Sequence, residues 1–348
     1  MSAIFPSLQS ERIKTSENLY SNFSTNGDVN DIFYEESTGD SYIVGNFTSV
    51  GCLPRKTLAF VGYESTEELF FDNLDIKHPF LQASITAVEP DGNGGYYIGG
   101  SFTSIKGITR NNVAQIDSNG EVTQWNPNCG SGVIEIKKVG NYVYLAGQFR
   151  SVYGLSRDRI ARVDSVTGAV DSGWVFNADS VVTTMVYDDG YLYIAGSFTT
   201  IGGISRSRAA KINLSTNSLD AFFSPSFNSN INEIIKVGLA IYAVGTFTQV
   251  NGMTSNRTAM IDSLSGASYA DWSADVNGTV NTIYYDNGYI YIGGTFTSIN
   301  GMTRNRIAKL DSEFGSLDSW ATNINGAVRS IAKRENHIYI GGDFTTVN

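Results

Sequence analysis

One signature constrains this chain more than any other. Gly-x-Phe occurs seven times: Gly45/Phe47, Gly100/Phe102, Gly147/Phe149, Gly196/Phe198, Gly245/Phe247, Gly294/Phe296 and Gly342/Phe344. Successive phenylalanines lie 55, 47, 49, 49, 49 and 48 positions apart. The surrounding text repeats as well, most clearly in Tyr289 to Asp311, YIYIGGTFTSINGMTRNRIAKLD. A period near 48 with several short strands per copy points to a toroid or solenoid of β-sheets, because each copy alone cannot bury its apolar faces.

The repeat overrides the two-domain prior that 348 residues would suggest. Thirty-six glycines, few prolines and the absence of long helical periodicity fit many short strands joined by tight turns. A net charge of -10 argues against a nucleic-acid backbone or an anionic membrane as partner. Two cysteines, Cys52 and Cys129, make no disulfide framework. No basic stretch followed by an apolar one opens the chain, and no apolar run approaches 18 residues. The expectation is a soluble protein without a signal peptide or membrane insertion. Asn-x-Ser/Thr sequons such as Asn46-Phe47-Thr48 fall inside the repeat and read as strand chemistry.

Each copy divides into four strands. In the sixth, the inner strand is read at Val280 to Tyr285, ended by Asp286-Asn287-Gly288, a type I′ hairpin signal. The second strand is read at Tyr289 to Ile299, the third at Arg306 to Asp311 and an outer strand at Ser316 to Ala321. Phe23, Phe71, Trp125, Trp174, Phe223 and Trp272 are the aromatics equivalent to Trp320. The near-continuous apolar runs of the second strands predict sheets buried on both faces.

The ends of the chain suggest how the array closes. The last copy stops after its second strand, at Asn348. The segment before the first inner strand, Glu11-Arg12-Ile13-Lys14 to Asn26, resembles the missing third and outer strands, with Arg12 matched to Arg306. This predicts a seven-bladed ring of four-stranded sheets over residues 10–348, preceded by an extension at 1–9. Its last blade is assembled two-plus-two from about 10–27 and 328–348. Closure removes the free strand edges.

The pattern YIGGxFTxINGxxRNRIAKLDxxGSLD resembles the delta-60 repeat, a β-propeller repeat family of largely unknown function in bacterial and phage proteins. The resemblance runs from about Ser10 to Asn348. Copies drift: Arg150 replaces the Thr after Phe149, and Asn112 replaces the arginine that opens the third strand. The Gly-Gly pair is also similar to Kelch repeats, which the Phe and the Arg-x-Arg fit less well. The resemblance implies an all-β propeller and no particular activity.

Repetition itself separates scaffold from site. The seven glycines read as bulges or close approaches of the next blade. Phe47, Phe102, Phe149, Phe198, Phe247, Phe296 and Phe344 read as filling between blades. Arg12, Arg159, Arg208, Arg257 and Arg306 could form a ring of anion sites. The structural alternative pairs them with carboxylates or loop carbonyls of a neighbouring blade, and it is preferred because the residues repeat. The asymmetric positions are therefore the candidates. Aligned inner strands place Asp31, Ala87, Glu135, Thr184, Glu233, Thr282 and Ser330 at one level of the central channel. Asn30, Thr86, Ile134, Thr183, Asn232, Asn281 and Arg329 stand beside them. Asp31, Glu135 and Glu233, with Arg329, could hold a cation or a basic peptide, or simply form a solvated, neutralised channel. The long first copy adds a loop at about 64–82 that carries His78 and Phe80, a second candidate contact region.

Catalytic signatures are missing. His78 and His337 lie in different copies without metal-ligand spacing. There is no Gly-x-Ser-x-Gly elbow, no sialidase-like box and no phosphate-binding glycine loop. No cofactor or metal is expected. The reading is a non-catalytic structural or adhesion module. Given the resemblance, it is expected in a phage virion, docking other virion proteins or a host-surface receptor. A glycan-binding propeller and an intracellular interaction platform are the alternatives.

Overall fold

The fold is that of a computed structural model, which describes residues 10–14, 19–20, 27–35, 40–47, 49–50, 53–54, 58–61, 83–272, 274–334 and 337–347. Every regular element among them is a β-strand. Inner strands lie at Val29–Glu35, Ser84–Pro90, Val133–Val139, Val182–Asp188, Ile231–Val237, Val280–Asp286 and Val328–Arg334. Each pairs antiparallel with the strand after it, which pairs in turn with a third. In the sixth copy the order is Val280–Asp286, Tyr289–Gly294, Ile307–Asp311. The turn between the first two has Asn287 at φ 45 and Gly288 at φ 84, as a type I′ hairpin requires.

The second strand is shorter than its sequence suggests. It ends at Gly294, not Ile299. Ser298–Ile299 belongs to a separate hairpin with Met302–Thr303, turning at Asn300-Gly301, both in the left-handed region. The base of this excursion is closed by the Arg306 amide donating to the Phe296 carbonyl and the Gly294 amide donating to the Arg306 carbonyl. Of the alternating TFTSI run only Ser298 and Ile299 are strand, and they serve a second small sheet. An isolated bridge between Val276 and Ile299 ties this hairpin to the loop that enters its own copy.

The outer strand is also reduced. The expected Ser316–Ala321 strand is reduced to the Leu310–Leu317 bridge, the Asp311 amide donating to the Ser316 carbonyl and the Asp318 amide donating to the Lys309 carbonyl. The Trp320 amide then turns onto the Asp318 carboxylate, carrying the aromatic ring off the sheet and against Tyr291. A named outer strand exists in the fourth copy, at Ser218–Leu219.

At the ends of the chain, Ser10–Lys14 pairs antiparallel with His337–Gly342 and with Leu19–Tyr20. The register corrects the sequence alignment by three residues. Arg12 lies opposite Tyr339 as Lys309 lies opposite Tyr291, so Arg12 corresponds to Lys309 and not to Arg306. The observed register sets Ile13 against Ile338, as Leu310 stands against Ile290. The local likeness of ERIK to NRIA is a weaker constraint than matching apolar residues across a pair.

The inner strands lie side by side in chain order, and the last packs against the first. The core is therefore divided among the gaps between sheets. One cluster joins Tyr144, Ala146, Ile160 and Trp174 of the third copy to Val182, Leu192 and Phe198 of the fourth. Another joins Val29, Ile32, Ile43 and Phe47 to Ala332 of the last copy.

Candidate functional site

The repeated residues are consumed in holding the sheets together. All seven signature phenylalanines are buried at 1% exposure or less. Phe198 and Phe296 each sit in a cluster shared by two neighbouring sheets. The glycine two residues earlier has a local cause. A Cβ on Gly294 would lie 2.1 Å from the Thr279 carbonyl oxygen, where the sixth inner strand bulges between Val280 and Thr282. The neighbouring sheet is met one residue earlier: a Cβ on Gly293 would lie 2.5 Å from Val328 Cγ1. The two successive glycines thus answer to two different contacts.

The arginines that open the third strands bond carbonyl and amide oxygens, and none of the four makes a carboxylate pair among the described residues. Arg306 Nη1 donates to the Ile324 carbonyl at 3.0 Å, Arg208 Nη1 to Ser197 and Phe198, Arg159 to Gln148 and Arg257 to the Asn256 side chain. Arg159, Arg208, Arg257 and Arg306 all have φ between 66 and 74, a conformation costly for a long side chain. Asn112, which tolerates that conformation better, takes the place in the second copy and donates to the Cys129 carbonyl. A second arginine set was not singled out from sequence. Arg110, Arg157, Arg206 and Arg304, two residues earlier, each donate to the preceding carbonyl and to one in the outer segment of the same copy. The Arg-x-Arg spacing was the available signal.

The aligned channel positions do share one level. Asp31, Ala87, Glu135, Thr184, Glu233, Thr282 and Ser330 all face the equivalent residue of their second strand just after the bulge. Their neighbours, the bulge residues, staple one inner strand to the next. Asn30 Nδ2 donates to the Ile85 carbonyl, Thr86 Oγ to Val133, Thr183 Oγ to Ile231, Asn232 Nδ2 to Val280 and Asn281 Nδ2 to Val328, at 2.6–2.9 Å. Arg329 departs from this pattern and grips Asp343 of its own copy with two bonds, one of 2.7 Å from Nη2. It therefore does not neutralise the three carboxylates.

Those carboxylates differ in their partners. Asp31 Oδ1 accepts from the Ile32 amide at 2.8 Å and from Ser330 Oγ at 3.2 Å, across the junction of the first and last copies. Glu233 Oε2 accepts from the Ile283 amide of the next inner strand at 2.9 Å. Glu135 has no hydrogen-bond partner among the described residues. Burial pushes Asp31 up to about 6 and Glu233 up to about 7. Burial also holds Glu135 well above the ordinary carboxylate value; Lys137 opposes this, and Asp31, Glu89 and Glu233 reinforce it. Lys137 is itself engaged by Glu89, at 3.0 Å. At neutral pH the channel is thus less anionic than its sequence suggests. Among the described residues no group of three or more His, Cys, Asp or Glu side chains is arranged to hold a metal ion. His78 and Phe80 lie outside the described residues.

A feature missed from sequence is a set of exposed aliphatic residues on the small hairpins. Ile108, Leu155, Ile204, Met253 and Met302 occupy the same position in five successive copies and are 41–50% exposed. Each follows the turn glycine of its hairpin. The signal is present, but in the stretch between Ile299 and Arg306 that the sequence reading assigns to no strand.

The Domain of unknown function (DUF5122) beta-propeller family matches the chain at residues 91–122, 188–221 and 286–319. These are equivalent stretches of the second, fourth and sixth copies, each starting at or just after the last residue of the inner strand. No curated protein matches the sequence. Among solved structures, the WD40 beta-propeller domain of Doa1 is similar with a TM-score of 0.62 at 11% identity, covering 97% of this chain and 94% of that one. The computationally designed Ika8 protein gives 0.56 at 11% identity, covering 92% and 95%. BamB from Moraxella catarrhalis gives 0.51 at 14% identity, covering 99% and 97%. At these identities the likeness shows the fold alone. Together with the sheets described above, these matches show a β-propeller in which three of the copies match the DUF5122 beta-propeller family.

Proposed function

We propose that this protein is a non-catalytic docking module, a seven-bladed ring over residues 10–348 closed two-plus-two by its N-terminal segment, with residues 1–9 as an attachment extension. It serves as a structural or adhesion component of a phage particle, in a tail, baseplate or capsid-associated position, and binds other virion proteins or a host-surface receptor. It acts without cofactor, nucleic acid or membrane insertion.

The observation that carries this reading is the contrast between spent and unspent chemistry. The repeated arginines, tyrosines and asparagines bond within the ring. The Tyr97, Tyr193 and Tyr242 hydroxyls donate to the Ser165, Ser263 and Ser312 carbonyls of the next sheet. Among the apolar side chains left outward is the row of hairpin aliphatics, one in each of the second to sixth copies. Apolar side chains held out repeatedly on a rigid frame suit contact with another protein surface better than turnover of a substrate. The test is fractionation of purified virions by the intact protein's antibody signal, paired with a glycan array on the isolated propeller. Particle association that weakens when Ile204, Met253 and Met302 are changed together to Ser supports the reading. Absence from particles with saturable sugar binding favours the lectin alternative. Hydrolysis of a glycoside, lost on Glu135→Gln or Glu233→Gln, contradicts the non-catalytic claim.

A further inference from the structure

The seven junctions between neighbouring inner strands are not equivalent. Five carry the bulge-residue staple described above. The junction between the last and first strands is bridged instead by the Ile32 amide donating to Ser330 Oγ at 3.1 Å, and by Ser330 Oγ donating to Asp31. Several have further polar links. Glu89 accepts from Lys137 Nζ and from the Lys138 amide, Lys236 pairs with Asp188 at 2.7 Å, and Lys333 pairs with Asp286 at 2.6 Å. Between Val133–Val139 and Val182–Asp188, none occurs among the described residues. The staple position there is Ile134, which has nothing to donate. The next residue is Glu135, the carboxylate without a hydrogen bond.

We propose that the junction between the third and fourth inner strands is the place where the ring opens, and that Glu135 sets how readily it does so. The outer part of this junction remains closed by apolar packing of Trp174, Phe198 and Ile160 and by Arg162 Nη1 donating to Asn217 Oδ1 at 3.0 Å. Opening is therefore a local parting of the channel edge and not a loss of the fold. Opening free energies vary across a structure, so one edge can part while the rest of the fold stays intact.

Glu135 acts through charge. On its own strand it meets Lys137, which Glu89 already engages. Lys138, farther along, donates to the Gly140 carbonyl at the turn. From the second inner strand it faces Glu89, and across the channel Asp31 and Glu233. The fourth inner strand offers it no cation: its ionisable residues are Tyr187 and Asp188, and Asp188 is held by Lys236. On the flanking second strands the ionisable groups are Tyr96, Tyr97, Tyr142, Tyr144, Tyr191 and Tyr193, which supply no cation. The closed junction holds the Glu135 carboxyl above its ordinary range, so the closed state binds that proton more tightly than the opened one does. Rising pH, above the ordinary carboxylate range, drives the equilibrium towards opening.

Amide hydrogen exchange of the full chain by mass spectrometry, corrected for intrinsic rates, reads this directly. At pH 8 the amides of Val182–Asp188 should exchange roughly fivefold to tenfold faster than those of Ile231–Val237 and Val280–Asp286, the worth of about one net hydrogen bond. The difference should shrink at pH 6. Ile134→Asn and Ile134→Thr introduce the staple residues that other copies use and should erase it. Glu135→Gln should remove its pH dependence. Equal protection of the fourth, fifth and sixth inner strands in the unaltered protein overturns the proposal. So does unchanged exchange in folded Ile134→Asn and Ile134→Thr proteins, or a pH dependence that survives Glu135→Gln.

Discussion

Within one sheet, the second and inner strands have diverged to very different degrees. Four of the second strands are near-copies, YIYIGG, YLYIAG, YVYLAG and HIYIGG, and DSYIVG and AIYAVG keep the central Tyr and the final Gly. The inner strands share their first and fourth apolar residues and little else, with Asp, Ala, Glu, Thr and Ser alternating at the third. The difference follows from what each strand touches. A second strand is covered on both faces by neighbouring sheets, so every side chain must fit a gap of fixed shape. An inner strand has one edge on the channel, where a staple can be Asn or Thr and where a carboxylate can replace a hydroxyl. Sequence freedom in this ring marks the channel edge, and the uneven junctions arise there.

The comparison breaks most visibly in the gaps between sheets. Phe198→Ala, Phe247→Ala and Phe296→Ala should each cost about 3–5 kcal/mol by chemical denaturation, with similar values for all three. A protein with one of these changes that melts like the unaltered one, yet loses a binding partner, would show that a site had been mistaken for core. The inner edge should respond less. Asn281→Ala removes the donor to the Val328 carbonyl and should cost about 1 kcal/mol. A cost equal to that of the phenylalanines would erase the distinction drawn between the two strand types.

The smallest effect is proton-linked. Glu233 titrates near 7 in the folded ring and at the ordinary carboxylate value when unfolded. The folded state therefore binds the extra proton between those values. The stability this contributes is complete below the ordinary value and is lost as pH rises through about 7. Melting temperatures measured from pH 5 to pH 8.5 should fall with rising pH, and Glu233→Gln should flatten that slope. A slope of the opposite sign would mean that the carboxylate is better solvated or better paired than the Ile283 contact implies.

Much of this architecture was legible in the sequence because repetition reports it seven times over. The glycines, the phenylalanines, the Asn287-Gly288 turn and the common level of Asp31, Glu135 and Glu233 all follow from alignment of the copies. The small hairpins were not legible. TFTSI alternates as a strand should, and only the backbone bonds at Arg306 show the chain leaving its sheet. The match of Arg12 failed for a related reason: four letters of local likeness carried no information on which residues oppose one another. The staples were hidden too, because their donors are ordinary Asn and Thr residues. Only the bulge before Thr282, and its equivalents, turns them towards the next strand.

Ser10–Lys14 and Leu19–Tyr20 share one sheet with Val328–Arg334 and His337–Gly342. Removing residues 1–25 takes away Ser10–Lys14 and Leu19–Tyr20 and leaves His337–Gly342 with an unpaired edge. Thermal unfolding of the shortened protein, followed by circular dichroism with sedimentation velocity on the same sample, tests this directly. The closed ring predicts aggregation, or a broadened transition shifted to lower temperature. A soluble monomer with an unchanged cooperative transition would contradict it.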